Sequence, residues 1–221
     1  MKRLVLVKND PKVSRGSIEN NRLKVVSLNA WDNPWRSISP DDYVIVLGGH
    51  MGAYDIKQYP YLNEEKKWIK NFVNENGRLI GICLGAQLLA ESIGGSAFFS
   101  EDLEFGIKNI KVKTNHNILN IFKDVPLFTW HRDTFALPKN VEVIAETKFP
   151  QMFKQKSAIG FQFHPEITLN LFDMWINSEE SRTEVESYGY KVNIVREEIA
   201  QFEEDMSIRM NKFIDAWVFA E

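Results

Sequence analysis

The chain has 221 residues, 44% of them hydrophobic and 26% charged, a balance that suits a water-exposed globular protein with a sizeable core. Its formal net charge of −3 excludes the basic surface that a nucleic-acid backbone requires. No run approaches the roughly 20 apolar residues that span a bilayer, so neither a nucleic-acid nor a membrane partner is expected, and the sequence reads as cytoplasmic.

Residues 2–7 begin with Lys2 and Arg3 and turn apolar from Leu4 to Val7. That run is too short for a signal-peptide core and reads as a first buried strand. The segment 11–21 is expected to be helical in part. Apolar runs at 23–28 and 43–47 give a second and a third strand, the third ending in Gly48-Gly49. Over 62–73, Leu62, Trp68, Ile69, Phe72 and Val73 recur at the spacing of one helix face, and Gly77 stands just beyond as a stop. A fourth strand at 78–82 leads through Cys83 into a helix over 84–93, closed by Gly94-Gly95. Short apolar strands alternating with helices predict a mainly parallel sheet covered on both faces, with right-handed crossovers.

Beyond Gly95 the texture changes. Residues 106–113 alternate apolar and polar, with Ile107, Ile110 and Val112 as candidates for burial. Further short strands are expected at 128–130, 141–145 and 158–163, with turns at Pro138-Lys139-Asn140 and near Pro150. This part reads as more antiparallel. The charged stretch 178–186 reads as a connector or a short helix. Val195, Ile199, Phe202, Met206, Met210, Phe213 and Trp217 then recur at steps of three or four, an amphipathic helix packed on the core or on a partner protomer. Its polar face is rich in Glu and Asp, not in the Lys and Arg of a membrane-lying helix. With no internal repeat, one domain over 1–221 is expected, its core at about 1–177 and a C-terminal helical extension at about 178–221.

Cys83 is the only cysteine. It forms no intramolecular disulfide, which leaves a buried structural thiol or a nucleophile. Its setting, Gly81-Ile82-Cys83-Leu84-Gly85 between a strand and a helix, suits a nucleophile elbow with sulfur in place of serine oxygen. The tip residue of such a turn is strained, and glycines two before and two after relieve the crowding. A helix starting at Leu84 sets its positive end beside the sulfur, which favours a thiolate, and the Leu84 N–H could hold a developing oxyanion.

A cysteine hydrolase also needs a base, oriented by an acceptor. Of the four histidines, His164 lies in Gly160-Phe161-Gln162-Phe163-His164-Pro165-Glu166. Residues two apart in extended chain face the same way, which lets the Glu166 carboxylate reach the imidazole. The alternative is a surface histidine before a helix-starting Pro-Glu pair. His116, in Thr114-Asn115-His116-Asn117, reads as an exposed loop residue. No histidine has metal-ligand spacing with another or with Cys83, so no metal is expected. The loop Gly48-Gly49-His50-Met51-Gly52 could bring backbone N–H groups close to a ligand and supply a second oxyanion donor, or be an ordinary strand-to-loop turn. It lacks the Gly-Lys-Ser/Thr of a nucleotide-phosphate cradle.

Taken in order, Gly48-Gly49, Gly81-Ile82-Cys83-Leu84-Gly85-Ala86-Gln87 and His164-Pro165-Glu166 closely resemble the class I (triad type) glutamine amidotransferases, over roughly residues 1–177. The likeness is strongest to the glutaminase domain of GMP synthase and its stand-alone relatives. It implies a flavodoxin-like three-layer αβα sandwich with a mainly parallel central sheet, a small antiparallel portion and a C-terminal helical extension. It implies Cys83 as nucleophile, His164 as base and Glu166 as orienting acid, with Gly49 and Leu84 as oxyanion donors. Gly48 and Gln87 then line the glutamine pocket. Trp130-His131-Arg132-Asp133 is similar to the family's His-Gly-Asp segment and puts His131 and Asp133 at the substrate, Asp133 toward its amino group. Arg132 replaces a glycine, and His50 stands where many relatives have proline; both departures lie beside the implied pocket and bear on substrate choice. The implied reaction is hydrolysis of the glutamine side-chain amide through a Cys-linked γ-glutamyl thioester, giving glutamate and ammonia without a cofactor. The implied partner is a separate synthetase subunit that accepts the ammonia. A stand-alone γ-glutamyl hydrolase or peptidase is the alternative. A non-catalytic binding module on the same fold is a further one, against which the complete Cys, His and Glu set argues.

Overall fold

In β1 (Arg3–Lys8), Leu4 and Leu6 face one side and Val5 and Val7 the other, and all four are fully buried. A strand without a solvent face belongs inside a sheet covered on both sides. In this computed structural model, which describes residues 2–113 and 118–219, β1 lies between β2 (Lys24–Asn29) and β3 (Tyr43–Val46), parallel to both. The chain continues through α1 (Tyr61–Asn74), β4 (Arg78–Ile82) and α2 (Leu84–Ser92). Eight further strands follow: β5 (Ser96–Phe98), β6 (Glu104–Asn109), β7 (Lys111–Val112), β8 (Pro126–His131), β9 (Thr134–Ala136), β10 (Glu142–Glu146), β11 (Pro150–Gln155) and β12 (Ala158–Phe161). The helices α3 (Leu169–Ile176), α4 (Glu179–Ser187) and α5 (Val192–Phe219) complete the described chain.

The main sheet runs β2-β1-β3-β4-β12-β11-β10-β7. Its strands from β2 to β12 are parallel, and β11, β10 and β7 add an antiparallel edge. Two antiparallel ribbons, β5 with β9 and β6 with β8, stand outside it. One face, including Val5, Val7, Val44 and Val46, is covered by α1 and α2 through Leu62, Ile69, Leu88 and Leu89. The opposite face, including Leu4, Leu6, Ile45 and Ile82, is covered by Met210, Phe213 and Trp217 of α5 and by the short 3-10 helix Leu119–Phe122. The Tyr43 hydroxyl donates to Val218 O at 2.6 Å and fastens the end of α5 to the sheet. The result is the three-layer αβα arrangement implied by the motifs. The apolar stripe of α5 packs on the core: its second half forms one layer, while Val195 and Ile199 pack with α3, α4 and the β6–β8 ribbon.

The segment 11–21 departs from expectation, for it contains turns and no helix. Its polar groups find partners outside the i to i+4 ladder. Asp10 caps a turn by accepting from Lys12 N at 2.7 Å, and Gly16 adopts φ +56°. Ser17 N donates to Glu166 O at 2.9 Å, and Asn211 Nδ2 donates to Ser17 O at 2.8 Å. The segment is a strap held by residues far along the chain. The stop after α1 lies where expected, just before Gly77, with the left-handed conformation taken by Asn76 at φ 62°. Gly77 follows it and donates to Phe72 O at 2.8 Å; a Cβ there would lie 2.4 Å from the Phe72 ring, so the glycine answers crowding. Of the stretch 178–186, residues 179–186 lie in α4 and Ser178 caps it, its side chain accepting from Ser181 N. The short strands β5 and β9 and the strand β11 were not expected. Pro150 opens β11, a position where its missing N–H costs little, and the bend lies just before it. His116 and its turn lie outside the described residues. Among the described residues no helix is long and apolar enough to cross a membrane.

Candidate active site

The motifs converge beyond the carboxyl ends of β1, β3, β4 and β12, the place where parallel sheets hold ligands. Cys83 follows β4 with φ 52° and ψ −109°, a strained conformation for a residue with a Cβ. A Cβ on Gly81 would lie 2.3 Å from the Gly85 carbonyl oxygen, and one on Gly85 would lie 2.2 Å from that of Val46. These are backbone atoms that cannot swing aside, so both glycines are required. Cys83 N donates to Phe161 O at 2.7 Å, and Cys83 O accepts from Ala86 N and Gln87 N. The strain is thus held by the sheet below and the helix above. Leu84 is the first residue of α2, so its N–H has no acceptor within the helix. Gly49 packs on it, since a Cβ at 49 would stand 2.9 Å from Leu84 Cδ2. A Cβ at Gly48 would meet His164 Cε1 at 3.4 Å and Cys83 Cβ at 3.6 Å. The glycine loop, the cysteine, the histidine and the helix start therefore meet at one point.

His164 Nδ1 bonds Glu166 Oε1 at 2.8 Å, and Glu166 is fully buried. Trp175 stands edge-on to the imidazole at 4.9 Å and walls it with Phe128. Burial alone would push the imidazole toward its neutral form. Glu166, bonded to the ring at 2.8 Å, and then the Cys83 sulfur outweigh it and raise the pKa to about 10. The folded value thus lies above the ordinary 6.5, so the stability His164 contributes is complete below 6.5 and is lost as pH rises through about 10. Calorimetric melting across that window is expected to show a steeper fall for the wild type than for His164→Asn.

The strap presses on the same group. A Cβ at Gly16 would lie 2.0 Å from Glu166 O, and its left-handed φ adds strain to any side chain there. Gly16→Ala is expected to destabilise the fold by about 2 kcal/mol, read as a lower urea midpoint with unchanged slope.

Across the cavity, Gln87 is buried and its Nε2 donates to Asp133 O at 3.2 Å and to Gln162 Oε1 at 3.3 Å. Gln162 in turn directs its Nε2 at Cys83 Sγ, 3.7 Å away. Asp133 accepts from the Tyr54 hydroxyl at 3.0 Å. Burial raises the Asp133 pKa and the charge of Asp55 adds to it, against the opposing Tyr54 bond and Arg132. Two carboxylates facing a half-enclosed space make a seat for a cationic group. His131 lines the same cavity. Its Nδ1 faces Asp133 O and its Nε2 faces Glu104 Oε2, each at 3.1 Å, so both ring nitrogens are engaged in supporting the β8–β9 turn. Burial opposes the charge of Glu104, but bonds from His131 and Thr147 outweigh it and lower the pKa.

The two unusual residues are both tied down. Arg132 pairs with Glu184 of α4 at 2.9 Å and lies over the Phe99 ring at 4.4 Å. His50 bridges Asp10 and the Tyr59 hydroxyl. The cavity they border has a volume of about 760 Å³ and runs from Cys83 and Gly49 out to Ser178 and Glu184. Among the described residues no group of three or more His, Cys, Asp or Glu is placed to hold a metal ion.

Sequence reasoning missed Gln162, Tyr54, Trp175 and the strap. Only Gln162 carried a signal, since it precedes His164 by two residues at the end of an extended run.

The family described as glutamine amidotransferase class-I matches residues 15–181. The chain is 29% identical over 149 residues to a glutamine amidotransferase-like protein of Acanthamoeba polyphaga mimivirus, a match covering 66% of this chain and 65% of that one. It is 30% identical over 102 residues to the glutamine-hydrolysing GMP synthase subunit of Methanococcus aeolicus, covering 43% of this chain and 54% of the relative. The chain thus spans less than two thirds of the length of these curated relatives. A solved glutamine amidotransferase from Thermotoga maritima superposes with a TM-score of 0.85 over 98% of both chains, at 25% identity.

Proposed function

Since this chain belongs to the class I glutamine amidotransferase family, we propose that it hydrolyses the side-chain amide of glutamine to glutamate and ammonia through a γ-glutamyl thioester on Cys83. The observation that carries this reading is a strained cysteine at a helix start and a histidine that line one cavity, the histidine bonded to a buried glutamate behind it.

In the proposed reaction the Cys83 sulfur attacks the δ-carbonyl carbon. The resulting oxyanion accepts from the N–H groups of Gly49 and Leu84, and loss of one such donor typically costs about 3 kcal/mol. The carbon–nitrogen bond then breaks as His164 gives its proton to departing ammonia. The now neutral imidazole takes a proton from water, which attacks the thioester and frees glutamate. Glu166 fixes the tautomer of His164 and stabilises its charged form. Asp133, with Asp55 behind it, receives the α-ammonium of the substrate, and Gln87 holds the Asp133 backbone in place. Gln162 steadies the sulfur. The scheme needs neither metal nor organic cofactor. Because a glutamine-hydrolysing GMP synthase subunit stands among the relatives, a separate synthetase chain is the partner proposed to accept the ammonia.

A second reading, a stand-alone γ-glutamyl hydrolase or peptidase, is favoured by one observation: the cavity continues past Cys83 to Phe99, Arg132 and Glu184, with room for a leaving group larger than ammonia. Product release measured over glutamine and a panel of γ-glutamyl peptides separates the two. Faster turnover of glutamine, rising when an ammonia-accepting synthetase and its nucleotide are added, is expected. Faster turnover of the peptides would replace the first reading with the second.

A further inference from the structure

Behind the glycine loop lies a polar pair outside the proposed chemistry. Glu65 of α1 is fully buried and Asn9, just past β1, nearly so. Asn9 Nδ2 donates to Glu65 Oε1 at 3.3 Å and to Leu47 O at 3.4 Å. The other two atoms of the pair, Asn9 Oδ1 and Glu65 Oε2, are both buried and both without a hydrogen-bond partner. Two orphaned acceptors on two groups that already share one bond is an expensive arrangement, since each buried atom gives up the hydrogen bond it had in water and gains none. A single hydrogen on Glu65 Oε2 removes both orphans at once, because an acid and an amide can then donate to each other.

We propose that Glu65 is carried as a neutral carboxylic acid whose Oε2–H donates to Asn9 Oδ1, closing a two-way pair that braces the Gly48-Gly49 loop. Asn9 transmits the brace in two ways: through its bond to Leu47 O, and through its Cβ, which lies 3.4 Å from where a Cβ on Gly49 would stand. Glu65 is thus a positioning residue for the amide of Gly49, a role that rests on the proposed glutaminase reaction. Its protonation does not.

The surroundings agree. The titratable group beside the pair is Tyr61 of α1, whose hydroxyl donates to Asn9 O at 2.7 Å, and Asp10 and Tyr59 lie in turn around Tyr61. His50, from the β3 loop, is already bonded to Asp10. The neighbouring Lys66 pairs with Glu91. Among the described residues nothing sets a cation against Glu65, and burial, opposed only by the Asn9 bond, raises its pKa to about 8. Folded Glu65 therefore holds its proton more firmly than the unfolded chain does. The stability it contributes is complete below 4.5 and is lost as pH rises through about 8.

Three measurements on the full chain test this. Infrared difference spectra between wild type and Glu65→Gln at neutral pH are expected to show a protonated carboxyl band that the variant lacks. Glu65→Gln, which replaces O–H by N–H and keeps the two-way pair, is expected to keep kcat within about twofold, whereas Glu65→Met, similar in size but unable to pair, loses about 10²-fold in kcat with KM little changed. The fall in melting temperature between 4.5 and about 8 is expected to be shallower in Glu65→Gln than in wild type. A carboxylate band in the wild type, or equal loss of kcat in both variants, would overturn the proposal. If no glutamine turnover is found at all, the proposed reaction fails, yet the spectra and the melting profile still decide the state of Glu65.

Discussion

Cys83→Ala is expected to abolish glutamine turnover, a loss of at least about 10⁴-fold in kcat, while the melting temperature stays close to that of the wild type. The loss is large because the substitution removes the atom that would bond to the substrate, and no other cysteine exists in the chain. The oxyanion donors and the ammonium seat remain, so substrate can still bind and KM is a poor reporter; single-turnover product release is the better one. The fold tolerates the change because the sulfur makes only loose contacts, with Gln162 Nε2 at 3.7 Å and Trp130 O at 4.0 Å. The strained backbone at this position is imposed by Gly81, Gly85 and the Phe161 hydrogen bond, none of which depends on sulfur. Circular dichroism and thermal melting check the second half of the expectation. Turnover retained in the variant would remove Cys83 from the reaction.

Glu166→Gln is expected to lower kcat by about 10⁴-fold, as the equivalent change does to other nucleophile–histidine–carboxylate sites, in a chain that still folds but melts at a lower temperature near neutral pH because the charge that holds the His164 proton is gone. The two side chains have the same shape, and the strap touches the Glu166 backbone oxygen, not its carboxylate. What changes is the proton pattern. An amide N–H turned toward His164 Nδ1 would hold the imidazole in the tautomer that cannot take a proton from the sulfur or from water. The charge is lost as well. Glu166 Oε2 has no hydrogen-bond partner among the described residues, so nothing else draws on the carboxylate and its field falls on His164. With that charge removed, burial of the ring dominates and the His164 pKa falls. The alkaline limb of the rate profile is therefore expected to move to lower pH in the variant. A profile unchanged in shape would mean that Glu166 does not act through His164.

The parts of this molecule that were legible in the sequence are those where a local pattern has a local cause. Leu4, Val5, Leu6 and Val7 alternate between two buried faces, so the run could only be a central strand. Gly81 and Gly85 answer a clash within their own turn, and His164 and Glu166 sit two apart, so the elbow and the His–Glu pair could be read directly. The stripe of α5 was legible as a helix, but the surface it covers was not, because the strands it packs on lie at the other end of the chain. The strap was misread for a related reason. Its hydrogen bonds run to Glu166 and Asn211, and no residue near it in sequence announces them. Glu65 was invisible because a glutamate on an amphipathic helix ordinarily faces water. Trp175 looks like any apolar residue of α3 until the fold sets it against the His164 ring. The strands β5 and β9, of three residues each, are too short to carry a period.

The most direct probe of the whole scheme is intact-mass and peptide mapping after the protein is treated with an electrophilic glutamine analogue. A single adduct on Cys83, formed more slowly in the presence of free glutamine and more slowly still in His164→Asn, is the expected outcome. Folded wild-type protein that stays unlabelled, or that labels at a rate indifferent to both glutamine and His164, would contradict it.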